Sequence, residues 1–226
     1  MKNRLISVIM GVYNAEASVK NSIESILGQS YSNIELLILD DGSNDETYEI
    51  CNATKDKRLK LYRNNKNIGL TKSLNKLISL AGGEFIARQD ADDVSRKYRL
   101  ERQINYLLDN NLDACTTRAE ILNSLKKIPG FSYYLPTKLV MKYKNPYIHG
   151  TLLIKKNVLE EMKYYDESFY YAQDYKLMSD LIKNQKKVQI MRDDLYILNM
   201  DNNISTLKKN EQKYYAECVR KNISPL

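Results

Sequence analysis

The chain lacks most of the features that announce a specialised class of protein. No apolar run approaches the ~18 residues that a membrane-spanning helix needs, so no spanning segment is expected. The opening Met1-Lys-Asn-Arg-Leu-Ile passes into an apolar run without a signal-peptide core or cleavage site, and the expected compartment is the cytoplasm. Cysteine is scarce. Cys51, Cys115 and Cys218 are far apart and odd in number, which argues against a disulfide framework or a cysteine zinc site and for reduced, partly buried thiols. His149 is the only histidine. No G-x-G-x-x-G or Walker A loop is present to cradle a phosphate. Zinc-finger, RNP and basic-zipper patterns are missing too, so nucleic acid is not an expected partner. There is no internal repeat or low-complexity tract.

The 226 residues, 43% of them hydrophobic, suit one sizeable domain or a domain with an appended lobe. The formal charge is +7, and the excess lies in the second half, in a lysine series running from Lys126 to Lys213. That bias suits an anionic partner, either a phosphorylated substrate or an acidic lipid surface.

Periodicity gives the order of elements. Continuous apolar runs at 5–13 and 34–39 read as strands buried on both faces, with further strands at 59–62 and 84–88. Between them, Val19, Ile23, Ile26 and Leu27 mark one helix face, and Leu70, Leu74, Leu77, Ile78 and Ala81 mark another. Ser43 and Glu46 have capping-box spacing and predict the start of a short helix through 48–53. Leu100, Ile104, Leu107 and Leu108 give the helix after the fourth strand. This alternation predicts an α/β fold, a mostly parallel sheet flanked by helices. Residues 115–150, punctuated by Pro129, Pro136 and Pro146, read as a loop-rich segment. Strands are then expected at 151–154, 188–191 and 196–198, helices at 158–162 and from Gln173-Asp174 onward, and a polar tail from Lys208.

Ligands of such sheets bind beyond the carboxyl ends of the strands. Those ends read Val12-Tyr13-Asn14, Asp40-Asp41-Gly42-Ser43, Arg63-Asn64 and Gln89-Asp90-Ala91-Asp92-Asp93. Three carboxylates within four residues are electrostatically costly unless a cation compensates them, and oxygen ligands alone select Mg²⁺ or Mn²⁺. An EF-hand is excluded, because Val94 and Ser95 stand where a ligand and a glycine are required. Asp40 and Asp41 can accept hydrogen bonds from a base or ribose, and Asp92 can hold a divalent ion on a diphosphate. Together they suit a nucleotide-diphosphate sugar.

Val8-Ile-Met-Gly-Val-Tyr-Asn14, Gln29-Ser30-Tyr31, Asp40-Asp41-Gly42-Ser43-Asn44-Asp45, Asn67-Ile68-Gly69-Leu70 and Arg88-Gln89-Asp90-Ala91-Asp92-Asp93 closely resemble, in this order and spacing, the family 2 glycosyltransferases. Those are inverting enzymes with the GT-A fold. The resemblance is strong over residues 5–110 and weaker through His149-Gly150-Thr151 to Gln173-Asp174-Tyr175.

It implies one GT-A domain over 1–226, with a nucleotide-sugar half at 1–115, an acceptor half at 116–207 and a basic tail at 208–226. Val12, Tyr13 and Asn14 would line the nucleotide pocket, with Asp40 and Asp41 on uracil or ribose and Asn67 and Lys72 near the donor. Asp90, Ala91 and Asp92 would form the donor-binding turn, with Asp92 on Mn²⁺ or Mg²⁺. Asp174 matches the family's general base, and His149 and Gln173 would contact the acceptor. The donor would be a UDP-hexose or UDP-N-acetylhexosamine, and the acceptor a glycan or lipid-linked hydroxyl in polysaccharide or lipopolysaccharide synthesis, with peripheral contact to an anionic membrane.

Alternative readings remain. Asp174 could be a helix cap, and a lone histidine is more often structural than a ligand. The chain could be a nucleotide-sugar-binding pseudoenzyme or partner subunit, or a sugar-nucleotide nucleotidyltransferase. Residues 196–205 also lack the Arg or His that many members carry there, leaving Lys208 or Lys209 to supply positive charge.

Overall fold

A computed structural model describes residues 4–124, 126–200 and 208–225. Four strands, β1 (Ile6–Val12), β2 (Ile34–Asp40), β3 (Leu59–Arg63) and β4 (Phe85–Arg88), pair in parallel in the spatial order β3-β2-β1-β4. The period of two explains why β1 carries apolar side chains toward both faces, with Ser7 the one polar side chain in it. Ile6, Val8, Met10 and Val12 enter one core with Val19, Ile23 and Ile26 of α1 (Val19–Leu27). Ile9 enters the opposite core. That second core is filled by Leu74, Leu77 and Ile78 of α3 (Leu70–Leu80) and by Leu177, Met178 and Leu181 of α7 (Gln173–Lys183). The first core is closed by Leu100, Ile104 and Leu107 of α4 (Arg99–Asp109). Helices thus cover both faces, as the alternation predicted.

Beyond β4 the sheet becomes mixed, continuing β4-β8-β6-β9-β5 among the described residues. Here β5 is Val94–Ser95, β6 Ala114–Ile121, β8 Leu153–Lys155 and β9 Val188–Leu198, and β7 (Lys127–Ile128) pairs with β6. The β6–β9 pair is parallel, whereas β8 runs antiparallel to both β4 and β6. The remaining helices are α2 (Thr47–Ala53), α5 (Thr137–Val140), α6 (Lys156–Glu161) and α8 (Lys209–Lys221).

Several expectations are corrected. The start of the 115–150 segment is not a loop: β6 lies in the middle of the sheet with Thr116 and Thr117 fully buried. The strands expected at 188–191 and 196–198 are one strand, whose register against β6 shifts around Arg118. Ser43 does not open α2. Its hydroxyl is engaged by Asp40, and Asp45 Oδ1 accepts the Thr47 N–H instead. The polar tail is not corrected: of the helical and partly disordered readings it is the helical one, and its Cys218 and Val219 pack on Phe169, Ala172 and Tyr175. All three cysteines are buried and free, and burial pushes the Cys51 and Cys115 thiols up to about 12. Among the described residues no helix is long and apolar enough to cross a membrane.

Candidate functional site

From β1 the chain proceeds to β2 and β3 on one side and later returns to β4 on the other, so a crevice opens between the carboxyl ends of β1 and β4. One wall is made from the loops after β1, β2 and β3, which are laced together. Asn14, at φ 48°, donates its N–H to Ser43 Oγ (3.0 Å), and its Oδ1 accepts the Asn44 N–H (3.0 Å). Asp41 N–H reaches Val12 O at 2.8 Å. Asp40 has no exposed surface. Its Oδ1 accepts the Ser43 hydroxyl at 2.5 Å, and Arg63 Nε lies 3.0 Å from its Oδ2 as a charge contact, without the alignment of a hydrogen bond.

Asp41 is also turned inward. It accepts from Asn64 Nδ2 (2.8 Å), Ile68 N–H (3.0 Å) and Gly69 N–H (2.9 Å). Gly69 sits at φ 94°, and a Cβ there would fall 2.7 Å from the Tyr170 ring, so only glycine fits this anchored loop. Asn67 is exposed, with its Oδ1 on the Gly69 N–H. The surface that this wall offers is therefore Tyr13, Asn14 and Asn67, with the two aspartates holding the loops from behind.

The acidic turn after β4 stands on buried cations. Arg88, 1% exposed, reaches Asp90 Oδ1 with Nη2 at 2.5 Å, and its Nη1 donates to the Gln89 carbonyl. Arg99, fully buried, donates from Nη1 to the Arg88 carbonyl (3.0 Å) and the Gly150 carbonyl (2.7 Å), and burial pulls its pKa down to about 10. Ser22 Oγ donates to the carbonyls of Ala91 and Asp93, which shapes the turn.

The three carboxylates are thereby separated into roles. Asp90 is paired with Arg88. Asp93, 2% exposed, accepts the Asn199 N–H at 2.7 Å and is hydrogen-bonded by Tyr196, and burial followed by the charges of Asp90 and Asp92 pushes it up to about 8. Asp92 is half-buried, and among the described residues no other side chain donates to it; burial and then Asp90 push it up to about 6. Among the described residues no three His, Cys, Asp or Glu side chains gather into a ready-made metal cage.

The opposite wall brings in the candidates from the second half. Asp174 is the second residue of α7, but it does not cap that helix: Ala172, at φ 52°, holds the cap position and no side chain closes it. Instead Asp174 Oδ2 accepts the Asn145 amide at 2.8 Å. His149 Nε2 lies 2.7 Å from Tyr165 Oη. Burial holds the His149 pKa below its ordinary value, with Arg88 adding to the effect and Asp174 and Asp90 opposing it. The same three charges bear on Tyr165, which burial pushes up. Arg88, Asp90 and Asp174 therefore lie within electrostatic reach of the His149–Tyr165 pair. Gly150 seals the floor, since a Cβ there would fall 2.3 Å from Tyr196 Oη and 2.7 Å from Asp90 Oδ2. Gln173 precedes Asp174, half-buried, at the first position of α7.

Lys72 goes elsewhere. It lines a groove of about 750 Å³ between α3 and residues 162–167, whose lining includes none of the carboxylates at the strand ends. The stretch that lacks a basic residue proves to be the clamp on the acidic turn. Residues 196 and 197 pair with β5, Tyr196 Oη accepts the Asp90 N–H at 3.1 Å, and Asn199 holds Asp93. Residues 201–207 of that stretch lie outside the described residues. Lys208 lies 3.5 Å from Glu211, and the positive charge beneath the acids comes from Arg88 and Arg99. Arg99 escaped notice because it looks like one polar residue on an amphipathic helix. The available signal was its position next to Leu100, on the face shared with Gln103 and Ile104.

Residues 7–167 match the family model described as glycosyl transferase family 2. The O-antigen biosynthesis glycosyltransferase WbnJ of Escherichia coli is 32% identical over 224 residues, covering 95% of this chain and 86% of WbnJ. The Escherichia coli UDP-Glc:alpha-D-GlcNAc-diphosphoundecaprenol beta-1,3-glucosyltransferase WfgD is 34% identical over 187 residues, covering 81% of this chain and 72% of WfgD. Some curated relatives are longer, and the chain spans about three fifths of their length. Among solved structures, the mannosyltransferase PcManGT of Pyrobaculum calidifontis, in complex with GDP-Man and Mn²⁺, superposes with a TM-score of 0.76 at 18% identity. That match covers 97% of this chain and 65% of the other, and at such identity it carries the fold alone, which is GT-A.

Proposed function

The chain belongs to glycosyl transferase family 2, and from that premise we propose that it moves a hexose or N-acetylhexosamine from a UDP-sugar to a hydroxyl of a glycan or lipid-linked acceptor. The anomeric centre is inverted, and the product enters cell-surface polysaccharide or lipopolysaccharide. The observation that carries this reading is that Asp90, on the turn after parallel strand β4, packs against Gly150 beside the His149–Tyr165 pair, on which the charge of Asp174 also bears. WfgD, whose name specifies a UDP-glucose donor and a diphosphoundecaprenol-linked acceptor, supports the substrate classes.

In this reading Val12, Tyr13, Asn14 and Asn67 form the nucleotide corner, and Asp40 and Asp41 hold its loops in shape. Asp90, fixed by Arg88, meets the ribose or the donor sugar, with Ala91 carrying the turn past it. Asp174, oriented by Asn145, takes the proton of the acceptor hydroxyl as that oxygen attacks the anomeric carbon and the nucleoside diphosphate departs. His149 and Gln173 lie beside it on the acceptor side.

Asp92 fits a divalent ion. It is a crowded carboxylate to which, among the described residues, no side chain donates, and its raised pKa records a cost of ionisation that a cation removes. Mn²⁺ or Mg²⁺ is commonly held by one or two carboxylates together with substrate phosphates, so a protein-only cage is not required. PcManGT is a fold neighbour captured with Mn²⁺. When bound, the ion neutralises the diphosphate leaving group. The enzyme works at the cytoplasmic face of the membrane, where lipid-linked acceptors are held.

The test is a donor panel in which UDP release is followed with and without EDTA, for the natural chain and for Asp92→Ala. Release that depends on metal and is lost in the variant is expected. Release indifferent to both changes would overturn the role of Asp92, and nucleotide binding without turnover on any donor and acceptor would make the chain a binding protein.

A further inference from the structure

Between Glu120 and Glu160 the chain contains no carboxylate side chain and seven lysines. The middle of this stretch is built as a two-sided layer. Residues 136–144 run on helically past α5, with the N–H groups of Val140, Met141 and Lys144 each bonded four residues back. The inner side is anchored: Val140 is buried, Met141 O accepts the Tyr175 hydroxyl at 2.5 Å, and the Arg118 guanidinium lies 5.3 Å over the Tyr133 ring. The outer side carries Leu135, Leu139 and Tyr143 at four-residue spacing, one exposed apolar row, with Lys138 and Lys142 one position behind it. Phe131 (79% exposed), Tyr143 (71%) and Tyr134 (67%) are the three most exposed large hydrophobic side chains among the described residues, and all three lie here.

We propose that residues 131–144 form the surface by which this protein docks on an anionic phospholipid bilayer, the aromatic and leucine side chains entering the headgroup layer and Lys138, Lys142 and Lys144 resting on lipid phosphates. A bilayer matches both halves of the pattern, apolar rings for the interface and lysines for anionic headgroups, with no acid in the segment to repel them. A second copy matches less well, because a twofold contact would set these lysines against their own counterparts. The surface is continuous with the pocket: one residue past Lys144, Asn145 holds Asp174, and His149 follows. Docking in this way turns the Asp174 side of the pocket toward the membrane. The purpose of the surface rests on the lipid-linked-acceptor reading above, while its existence does not.

The chain contains no tryptophan, so Phe131→Trp in the full-length protein gives a single reporter. With vesicles of phosphatidylglycerol and phosphatidylcholine, the indole emission should shift to the blue, be quenched by brominated acyl chains, and return when salt is raised. Changing Lys138, Lys142 and Lys144 together to Gln should weaken partitioning roughly a hundredfold, about fivefold per lysine. Leu139→Ser should weaken it further, with thermal melting unchanged. Vesicle binding without a blue shift would show that another face binds. A shift that grows with protein concentration in the absence of lipid would show a self-association surface, and no binding to phosphatidylglycerol would leave no docking site; each of these overturns the proposal. UDP release without vesicles is measured on the same samples. Intact turnover with no docking refutes this inference alone, and intact docking with no turnover refutes the catalytic reading alone.

Discussion

The two walls of the pocket are built over different distances along the chain. The first comes from loops after β1, β2 and β3, where Asn14 reaches Ser43, and Asp41 reaches Asn64 and Gly69. Its contacts span tens of residues at most, and each loop is delivered to its place by the parallel strand before it. The second wall has no such delivery. Asp90 is met by Tyr196 and Asp93 by Asn199, each 106 residues away, while Asp174 depends on an amide in an irregular segment. The first wall is thus a property of the sheet's topology, and the second is a property of tertiary packing. Substitutions in the second wall should divide cleanly between those that change chemistry and those that loosen its seat on the first.

The largest effect should come from Asp174→Asn. The variant keeps the shape and can still bond Asn145, but it cannot take a proton. Transfer should fall by roughly 10²–10⁴-fold, the usual contribution of a general base. Nucleotide affinity, which the proposed function assigns to the other wall, should be unchanged by titration calorimetry. A parallel loss of nucleotide affinity would break the separation of the two walls.

A smaller effect tests the seat itself. Gly150→Ala introduces a methyl group 2.3 Å from Tyr196 Oη and 2.7 Å from Asp90 Oδ2, at a point where β9, the acidic turn and the 148–151 turn meet. Such overpacking costs about 1–3 kcal/mol, readable as a lower urea midpoint, and transfer should drop as Asp90 shifts against Arg88. Gly130→Ala is the control. Its nearest neighbour, Lys127 O, is 3.7 Å from the new Cβ, and it should be close to neutral.

The same contrast governs what could be read from the sequence. The parallel strands were legible because burial on both faces leaves an uninterrupted apolar run, and the acids at their ends because topology alone places strand ends together. β6 was not legible: Ala114-Cys-Thr-Thr-Arg-Ala-Glu-Ile121 shows no alternation. Part of its buried polar complement is met far along the chain, where Thr151 Oγ1 accepts the Thr117 N–H. β9 read as two strands because Arg192-Asp193-Asp194 interrupts its apolar pattern. In the fold Asp193 pairs with Arg102 and Asp194 with Lys127, so the charges are accommodated without ending the strand. In the site, the aspartates were visible but the groups that set their behaviour were not. Arg88 closes an apolar strand and is buried only because Asp90 and nearby carbonyls take its N–H groups. Tyr196 lies in a stretch notable in sequence only for lacking a base. Sequence spacing marked the candidate groups, and the contacts that tune them had to be seen.

The finest test of the contrast is the seat of Asp93, where the second wall is held together over 106 residues of chain. In the metal-free protein Asp93 is pushed from an ordinary 3.8 to about 8, and its neighbour Asp92 to about 6. Between about pH 4 and pH 8 the folded chain therefore holds protons that the unfolded chain has released. Stability follows the difference in bound protons, so it should decline steadily as pH rises from about 4, more steeply up to about 6 while both carboxyls contribute, then less steeply up to about 8, where it levels off. Asp93→Asn removes the share of that decline, from about pH 4 to about pH 8, that Asp93 contributes. Its amide oxygen can still accept the Asn199 N–H, and the charge that burial penalises is gone. With EDTA present, the melting temperature of the variant should match the natural chain near pH 4 and exceed it by a growing margin up to about pH 8, then hold a constant lead. A lead that is already full at low pH would mean that the substitution acts through packing. A lead that reverses above neutrality would mean that the ionised carboxylate is what the Asn199 and Tyr196 contacts were built to hold, and that the second wall grips the acidic turn by charge.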